Sequence, residues 1–240
     1  MIKHIFNNKN FSDLICILPN SHYTDNIDFL FRCYGADTDF CEFYSADGAL
    51  ICIFEKTSAI IAGELKDFEE TALFLSGCNL INSDYSVCKE LHKHLDAFEN
   101  VPVDFQLAKI SDKKSQDLNE NPNLKDVYTI ISSGFSDIDF NLWYTDTSHK
   151  IRHNLGKCYT YKNSASVTAS YYNNGIFLSQ VSTLTTERHK GYASQMLHEV
   201  TGLYKDKKVY LIAEHSKRPF YKSAGFEIVG TAGRLRKTHI

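Results

Sequence analysis

The 240-residue chain is long enough for two small domains or one large one, and its 43% apolar residues suffice for an ordinary core. The net charge of −3 hides an asymmetry, because residues 1–120 carry ten basic and twenty acidic side chains, whereas residues 181–240 carry eleven and five. The seven cysteines include no CxxC pair, so we expect neither a disulfide framework nor a zinc site. The N-terminus has no signal-peptide pattern and the chain has no long apolar run, so we expect a cytoplasmic protein without a membrane anchor.

Residues 1–106 are predicted to form an N-terminal α/β domain. Strand-forming residues flank the Ala-Asp-Gly sequence at 46–48, which is typical of a hairpin turn. A short helix is predicted over DFEETALFLSG, where acidic residues complement the helix dipole in the first turn. A second helix is predicted over SVCKELHKHLDAF, because its apolar residues at 87, 91, 95 and 98 are spaced for one face. We find no catalytic motif in this domain.

Residues 107–126 are the most polar stretch and predict a linker. The following domain, residues 127–240, begins within a predicted helix, LKDVYTIISSGF, and continues with three antiparallel strands, GKCYTYKN, SASVTASYYN and GIFLSQVSTL. The helix YASQMLHEVTGLY, the apolar strand VYLIAE, a short helix over 217–224 and a terminal strand or hairpin complete it. This order indicates an α/β fold class (α+β mixed sheet).

The strongest functional signal is the segment VSTLTTERHKGYASQML, in which a predicted strand ends and a predicted helix begins. A helix N-terminus presents unpaired N–H groups and a partial positive charge, and two cations, Arg188 and Lys190, adjoin it. Gly191 allows the backbone to approach a ligand closely. The combination suits a pyrophosphate, although an ordinary helix start with solvated basic residues has the same composition.

The R-x-x-G-x-A sequence between this strand and helix resembles the [QR]-x-x-G-x-[GA] acetyl-CoA motif of the GNAT superfamily of N-acetyltransferases. The downstream stretch PFYKSAGFEIVG resembles the second signature of that family, an aromatic-Tyr pair followed by Gly-Phe. The match covers residues 127–240 and implies a GNAT-like acyl-CoA N-acyltransferase fold there. Residues 1–106 have no R-x-x-G-x-A sequence, and we interpret them either as a degenerate GNAT-like unit or as a structural domain with an acidic surface.

The resemblance implies that acetyl-CoA is the co-substrate and that no metal takes part. It implies that Val181, Ser182 and Thr183 bind the pantetheine arm through backbone groups. It assigns the pyrophosphate to the backbone N–H groups of Arg188, His189, Lys190, Gly191, Tyr192 and Ala193, with Ser194 as a further cofactor-binding residue.

Two residues are candidates for the chemistry. Tyr221 matches the tyrosine of the family that protonates the departing thiolate, and its alternative is a packed core tyrosine. Glu214 would accept the proton of the amine or orient a water, whereas many family members have an Asn near this point, so a surface carboxylate is its alternative. The implied function is acetyl transfer to a primary amine by direct attack on the thioester. The competing hypotheses are a non-catalytic CoA-binding regulatory module with the same fold and a structural protein without a ligand.

The segment WYTDTSHKIRHN is predicted to bind the acceptor through Trp143, Tyr144, His149, Arg152 and His153. A metal site that includes Asp146, and a structural role for the His and Arg side chains, are the other interpretations. We expect the acceptor to be a small-molecule or peptide amine, held between this segment and the acidic N-terminal half, and we expect neither a nucleic acid nor a membrane as a partner.

Overall fold

The computed structural model describes residues 1–36, 38–109 and 117–238. The chain divides into two compact units: unit 1 contains Met1–Asp104 and the residues from Thr231 onward, and unit 2 contains Phe105–Gly230. The end of the chain is therefore grouped with the N-terminal unit, whereas the sequence suggested a division into 1–106 and 127–240. Residues 110–116 of the predicted linker lie outside the described residues.

Unit 1 has a mixed sheet with strand order β1-β2-β3-β4-β5-β13-β6. Its elements in chain order are β1 (Ile2–His4), α1 (Asn8–Ile15), α2 (His22–Tyr34), β2 (Cys41–Ala46), β3 (Ala49–Phe54), β4 (Ser58–Gly63), α3 (Phe68–Leu75), β5 (Leu80–Asp84), α4 (Tyr85–Leu91), β6 (Phe98–Asn100) and the first residues of β7 (Val103–Ala108), with the last residues of β13 (Phe226–Lys237). Its apolar core includes Ile51, Ile61, Leu75, Ile81 and Leu91, all fully buried.

Local signals explain much of unit 1. The predicted turn at 46–48 is confirmed, since Ala46 pairs with Ala49 and both intervening residues have positive φ. Helix α3 is also confirmed. The predicted second helix is too long, because α4 ends at Leu91 and a short 3₁₀ turn, His92–His94, follows it. Leu95 leaves the helical region at φ −128° and ψ 73°, and Phe98 begins a strand. Both side chains are nevertheless buried, so the apolar spacing is explained without a continuous helix.

Unit 2 has the strand order β13-β7-β12-β11-β10-β9-β8. Its elements are the last residues of β7, then β8 (Leu118–Asn119), α5 (Leu124–Ser132), α6 (Phe140–Arg152), β9 (Gly156–Tyr161), β10 (Ala165–Tyr172), β11 (Gly175–Thr183), α7 (Tyr192–Leu203), β12 (Val209–Glu214), α8 (Arg218–Ser223) and the first residues of β13. The three predicted antiparallel strands, the two later helices and the apolar strand VYLIAE are confirmed.

Burial explains the central pattern of unit 2. The inner face of α7 contributes Met196, Leu197 and Val200, which are fully buried against the sheet. Strand β12 is apolar on both faces because it lies inside the sheet, between β11 and β7. The predicted terminal strand or hairpin is a single strand, β13, whose last part pairs with β5 in unit 1.

The two units have the same order of elements. In each, a strand precedes two helices, and three antiparallel strands, a helix, a strand, a helix and a further strand follow. None of the helices in the described part of the chain is long and apolar enough to cross a membrane.

Candidate active site

Strands β11 and β12 are parallel neighbours that separate toward their carboxyl ends. They pair at Ile176 with Val209 and at Phe177 with Tyr210, and the described residues beyond these pairs, up to Thr183 and Glu214, do not pair with each other. Backbone groups at the carboxyl ends are thus left without a ladder partner across this gap. Such an opening at the carboxyl ends of parallel strands is a common place for a ligand in a sheet with helices on its faces.

A β-bulge distorts β11 inside this opening. Ser179 pairs with Thr168 and Ser182 pairs with Ser166, so two residues of β11, Gln180 and Val181, face one residue of β10. Gln180 has a φ of 53°, in the left-handed region that few residues other than glycine adopt. The bulge changes the direction of the peptide groups at the point where the two parallel strands have already separated.

The side chain of Ser182, next to the bulge, is hydrogen-bonded within unit 2. The hydroxyl of Ser182 donates to the carbonyl oxygen of Ile130 in α5, 2.8 Å away, and is buried. A side chain at Gly134, just after α5, would place its Cβ 2.7 Å from that hydroxyl. Only the backbone of Ser182 is therefore available to a ligand. Binding of a ligand through the peptide groups of this strand stays a prediction.

The start of α7 is an uncapped helix N-terminus. Gly191 occupies the N-cap position at φ 80° and ψ 3°, and no side chain caps the helix. His189, two residues earlier, also has a positive φ, 65°. Among the described residues, none accepts a hydrogen bond from the N–H groups of residues 189–194. These groups and the positive end of the helix dipole form a site that would attract an anion.

The two cations of the motif are tied to neighbouring groups. Arg188 donates through Nη2 to the carbonyl oxygen of Ser133, the residue that caps α5, and more weakly through Nε to that of Thr183. Lys190 lies 2.9 Å from the carboxylate of Glu187, whose hydrogen bond raises the pKa of the lysine. Both contribute charge near the uncapped helix, but the peptide N–H groups form the unsatisfied part of the site.

A third cation, Lys162, lies near the start of α7 and is not indicated by the sequence motif. Its Nζ lies 5.5 Å from the ring centre of Tyr192, the first residue of α7, and 5.8 Å from that of Tyr161. Its ion pair with Asp117 is long, at 3.3 Å. No local signal indicates this placement, because Lys162 is in the turn between β9 and β10, thirty positions before Tyr192 in the sequence.

The two candidate catalytic residues occupy the next two elements. Glu214 is half-buried and is the last residue of β12, on one side of the opening. Tyr221 is half-buried in α8, with its ring 5.8 Å from that of Phe226. Burial raises the pKa of Tyr221 to about 12, and among the described residues its hydroxyl has no hydrogen-bond partner. The phenol is therefore protonated at neutral pH and available as a donor.

The five predicted acceptor residues lie on α6 or just after it, and they differ in exposure. Trp143 is 4% exposed, lies 5.6 Å from the ring of Tyr128, and donates from Nε1 to the side chain of Gln180. Tyr144 is exposed. The rings of His149 and His153 are 4.4 Å apart, and Arg152 is exposed beside them. The acceptor role of these five residues stays a prediction, and the burial of Trp143 points to another task for that residue.

A small cavity of about 60 Å³ lies between α6 and strands β9–β11. Its wall includes Asp146 and Lys150, whose charged groups are 2.7 Å apart, together with Gln180. Within the described residues, no three His, Cys, Asp or Glu side chains are grouped as metal ligands.

Taken with the strand order, the diverging parallel pair and the bulge define the GNAT acyl-CoA N-acyltransferase fold. Solved structures share it. A Pyrococcus horikoshii protein classed as an acetyltransferase has a TM-score of 0.66 at 15% identity over 100% of this chain and 89% of that chain. A GCN5-related N-acetyltransferase from Kribbella flavida has a TM-score of 0.63 at 12% identity over 91% and 95%. A GNAT-family acetyltransferase from Colwellia psychrerythraea has a TM-score of 0.56 at 11% identity over 99% and 100%.

At these identities the likeness is one of fold. No protein-family model matches the chain, and no curated protein matches it.

Proposed function

We propose that unit 2 is an acetyl-CoA-dependent N-acetyltransferase that transfers the acetyl group to a primary amine. The observation that carries this proposal is that the opening between two parallel strands lies next to an uncapped helix start, both in sequence and in the fold. The parallel strands β11 and β12 separate after two residue pairs, and β11 then leads directly to the uncapped start of α7. The first feature suits an extended polar chain, and the second suits a pyrophosphate.

The backbone supports a specific placement of acetyl-CoA. The pantetheine arm would lie along residues 181–183, where the edge of β11 is free of β12. The pyrophosphate would accept hydrogen bonds from the N–H groups of residues 189–194. The left-handed residues His189 and Gly191 direct the chain so that these groups can face one anion.

The reaction needs a donor for the oxyanion and a donor for the leaving group. The amine nitrogen attacks the thioester carbonyl, a C–N bond forms, and the carbonyl oxygen becomes an oxyanion that a peptide N–H of the bulge stabilises. The C–S bond then breaks, and the sulfur leaves as a thiolate. Glu214 accepts, directly or through a water, the proton that the nitrogen loses.

Tyr221 is suited to stabilise the thiolate. Its pKa of about 12 is above the value of about 8.5 for an ordinary thiol, so complete proton transfer from the phenol would be uphill. Tyr221 therefore acts mainly by donating a hydrogen bond to the sulfur as charge develops there. The thiolate acquires its proton as CoA is released.

We further propose that unit 1 is a degenerate GNAT-like unit without a CoA site. Its elements follow the same order, and α3 stands where α7 stands in unit 2. The start of α3 is capped by Asp67, whose carboxylate accepts from the N–H of Glu70, and Glu69 and Glu70 lie in the first turn. A phosphate there would meet three carboxylates and a satisfied N–H group, and repulsion disfavours it.

A thiol-release assay tests the function. The full chain is incubated with acetyl-CoA and a panel of primary amines of different size and charge, such as spermidine, tyramine, glucosamine and a lysine-containing peptide. Release of CoA that depends on the amine, with a product heavier by one acetyl group, supports the proposal. Binding of CoA without release for any amine would support the regulatory module instead, and absence of binding would exclude both.

A further inference from the structure

The bulge of β11 is held by a side-chain network. The amide oxygen Oε1 of Gln180 accepts two hydrogen bonds, one from Oγ1 of Thr168 at 2.9 Å and one from Nε1 of Trp143 at 3.2 Å. Thr168 is on β10, and Trp143 is on α6. One oxygen therefore connects the distorted strand to its neighbour and to the helix that covers the sheet.

The backbone of Gln180 requires such support. A residue other than glycine at φ 53° is strained, and such strain persists only when the surroundings fix it. The buried indole N–H of Trp143 would lose its partner if Gln180 returned to an extended conformation and its side chain moved away. An unsatisfied buried donor is about as costly as this backbone strain, so the hydrogen bond opposes release of the strain.

We infer that Trp143 and Thr168 are positioning residues, which act through Gln180 to fix the peptide groups at 180–181 where the oxyanion of acetyl transfer is stabilised. This inference rests on the proposed function. It gives Trp143 a role that its burial allows, in place of contact with the acceptor. Because both residues act on the bulge, we expect a large effect on the rate of transfer and a small one on the affinity for CoA, whose pantetheine arm shares only residue 181 with the peptide groups at 180–181.

The first test compares two substitutions of one residue. Gln180→Leu removes the acceptor at similar size, whereas Gln180→Glu keeps an oxygen that both donors can reach, in a cavity wall that also contains the ion pair of Asp146 and Lys150. Because a displacement of about 1 Å in a catalytic group can cost about 100-fold, we expect Gln180→Leu to lower kcat about 100-fold. The Kd for CoA should change by less than about threefold, and Gln180→Glu should recover most of kcat.

A spectroscopic measurement follows the hydrogen bond itself. Trp143 is the one tryptophan in the chain, so its indole N–H gives a single side-chain cross-peak in a ¹H–¹⁵N spectrum. This peak should move upfield in Gln180→Leu and keep its position in Gln180→Glu. Trp143→Phe, which removes one donor and keeps an aromatic ring, should lower kcat less than Gln180→Leu does, and it provides the kinetic test if Gln180→Leu fails to fold.

A matched control is Asn82→Leu. Asn82 also accepts a side-chain hydrogen bond through its amide oxygen, from Arg234 at 3.0 Å, but it belongs to unit 1. The substitution Asn82→Leu should lower thermal stability and leave kcat unchanged. An unchanged kcat in Gln180→Leu, a parallel loss of kcat and CoA affinity, or no recovery in Gln180→Glu would each overturn the inference. A wild-type protein that releases no CoA with any amine would instead overturn the proposed function, and the positioning role with it.

Discussion

Arg188 donates from its guanidinium to the carbonyl oxygen of Ser133, and this contact joins the loop before α7 to the end of α5. The cation thereby satisfies a carbonyl at a helix C-terminus while its charge stays next to the uncapped N-terminus of α7. The residue most characteristic of the acetyl-CoA motif thus has a structural task in this chain in addition to any task in binding.

Arg188→Glu should weaken both the fold and the binding of CoA. A carboxylate would face the carbonyls at the end of α5 and would repel a pyrophosphate at the start of α7, so we expect CoA affinity to fall at least about tenfold and stability to fall by about 1–2 kcal/mol. Calorimetric titration and urea unfolding measure the two effects. Lys205→Glu, the same charge reversal beyond the other end of α7, is the control and should leave CoA affinity unchanged. Equal affinities of Arg188→Glu and the wild type would refute the placement of the pyrophosphate.

Lys162→Ala should reduce CoA affinity about three- to tenfold, because its ammonium lies over the ring of Tyr192 at the start of α7 and adds to the local positive potential. The loss should shrink at high salt, which screens an exposed charge. Lys157→Ala is the matched control for Lys162→Ala. Lys157 also lies over a tyrosine ring, that of Tyr159, and pairs with a carboxylate. If both variants bind CoA like the wild type, Lys162 has no part in the site.

Tyr221→Phe should lower kcat about 10- to 100-fold and leave the Kd for CoA within about twofold, because the hydroxyl is needed only when charge develops on sulfur. Steady-state kinetics with the best amine, together with a CoA titration, separate the two constants. Tyr85→Phe, a substitution of an exposed tyrosine in unit 1, should have no effect on either. A normal kcat in Tyr221→Phe would leave Tyr221 as a packing residue.

The protein should lose stability in alkaline solution as buried tyrosines ionise. Burial raises the pKa of Tyr44 and of Tyr221 to about 12, and also raises that of Tyr23 and of Tyr159. Tyrosines in the unfolded chain titrate near about 10, so the folded state holds these protons more tightly. The corresponding stability is fully present below about pH 10 and is lost as the pH rises through about 12.

Urea unfolding at a series of pH values between about 8 and about 11.5 measures this decline in the free energy of unfolding. The decline should be shallower in Tyr221→Phe, which has one titrating phenol fewer. A free energy of unfolding that stays constant to pH 11.5 would show that these hydroxyls are accessible to water in the folded state.

Local signals in the sequence were sufficient where residues of one segment determine its structure. Strand β12 coincides with the apolar run VYLIAE, and the turn at 46–48 forms as its Ala-Asp-Gly sequence predicts. The bulge at Gln180 could not be predicted, because its left-handed backbone depends on donors from β10 and α6. Helices α1 and α2 lie outside the predicted elements, although each begins at a local N-cap, Asn7 and Ser21 respectively.

In the candidate site, too, features determined by one short segment were predictable and features that depend on distant segments were not. The motif correctly located a helix start with Gly191 at its N-cap, because both features belong to one short segment. The length of β13 and the grouping of its last residues with unit 1 depend on β5, about 150 positions earlier, and no local pattern carries that information. For the same reason, Lys162 was found only in the structure.

The placement of the CoA pyrophosphate at the start of α7 is tested by a calorimetric titration of the full chain with CoA, repeated on Gly191→Val and His189→Gly. We expect one CoA per chain, because, of the two helices in equivalent positions, α7 has an uncapped start and α3 is capped by Asp67. Valine at φ 80° would distort the helix start and should abolish binding, whereas His189→Gly, which suits φ 65° and keeps the peptide N–H, should bind CoA as the wild type does. Two CoA molecules per chain, or full affinity in Gly191→Val, would contradict this placement of the pyrophosphate.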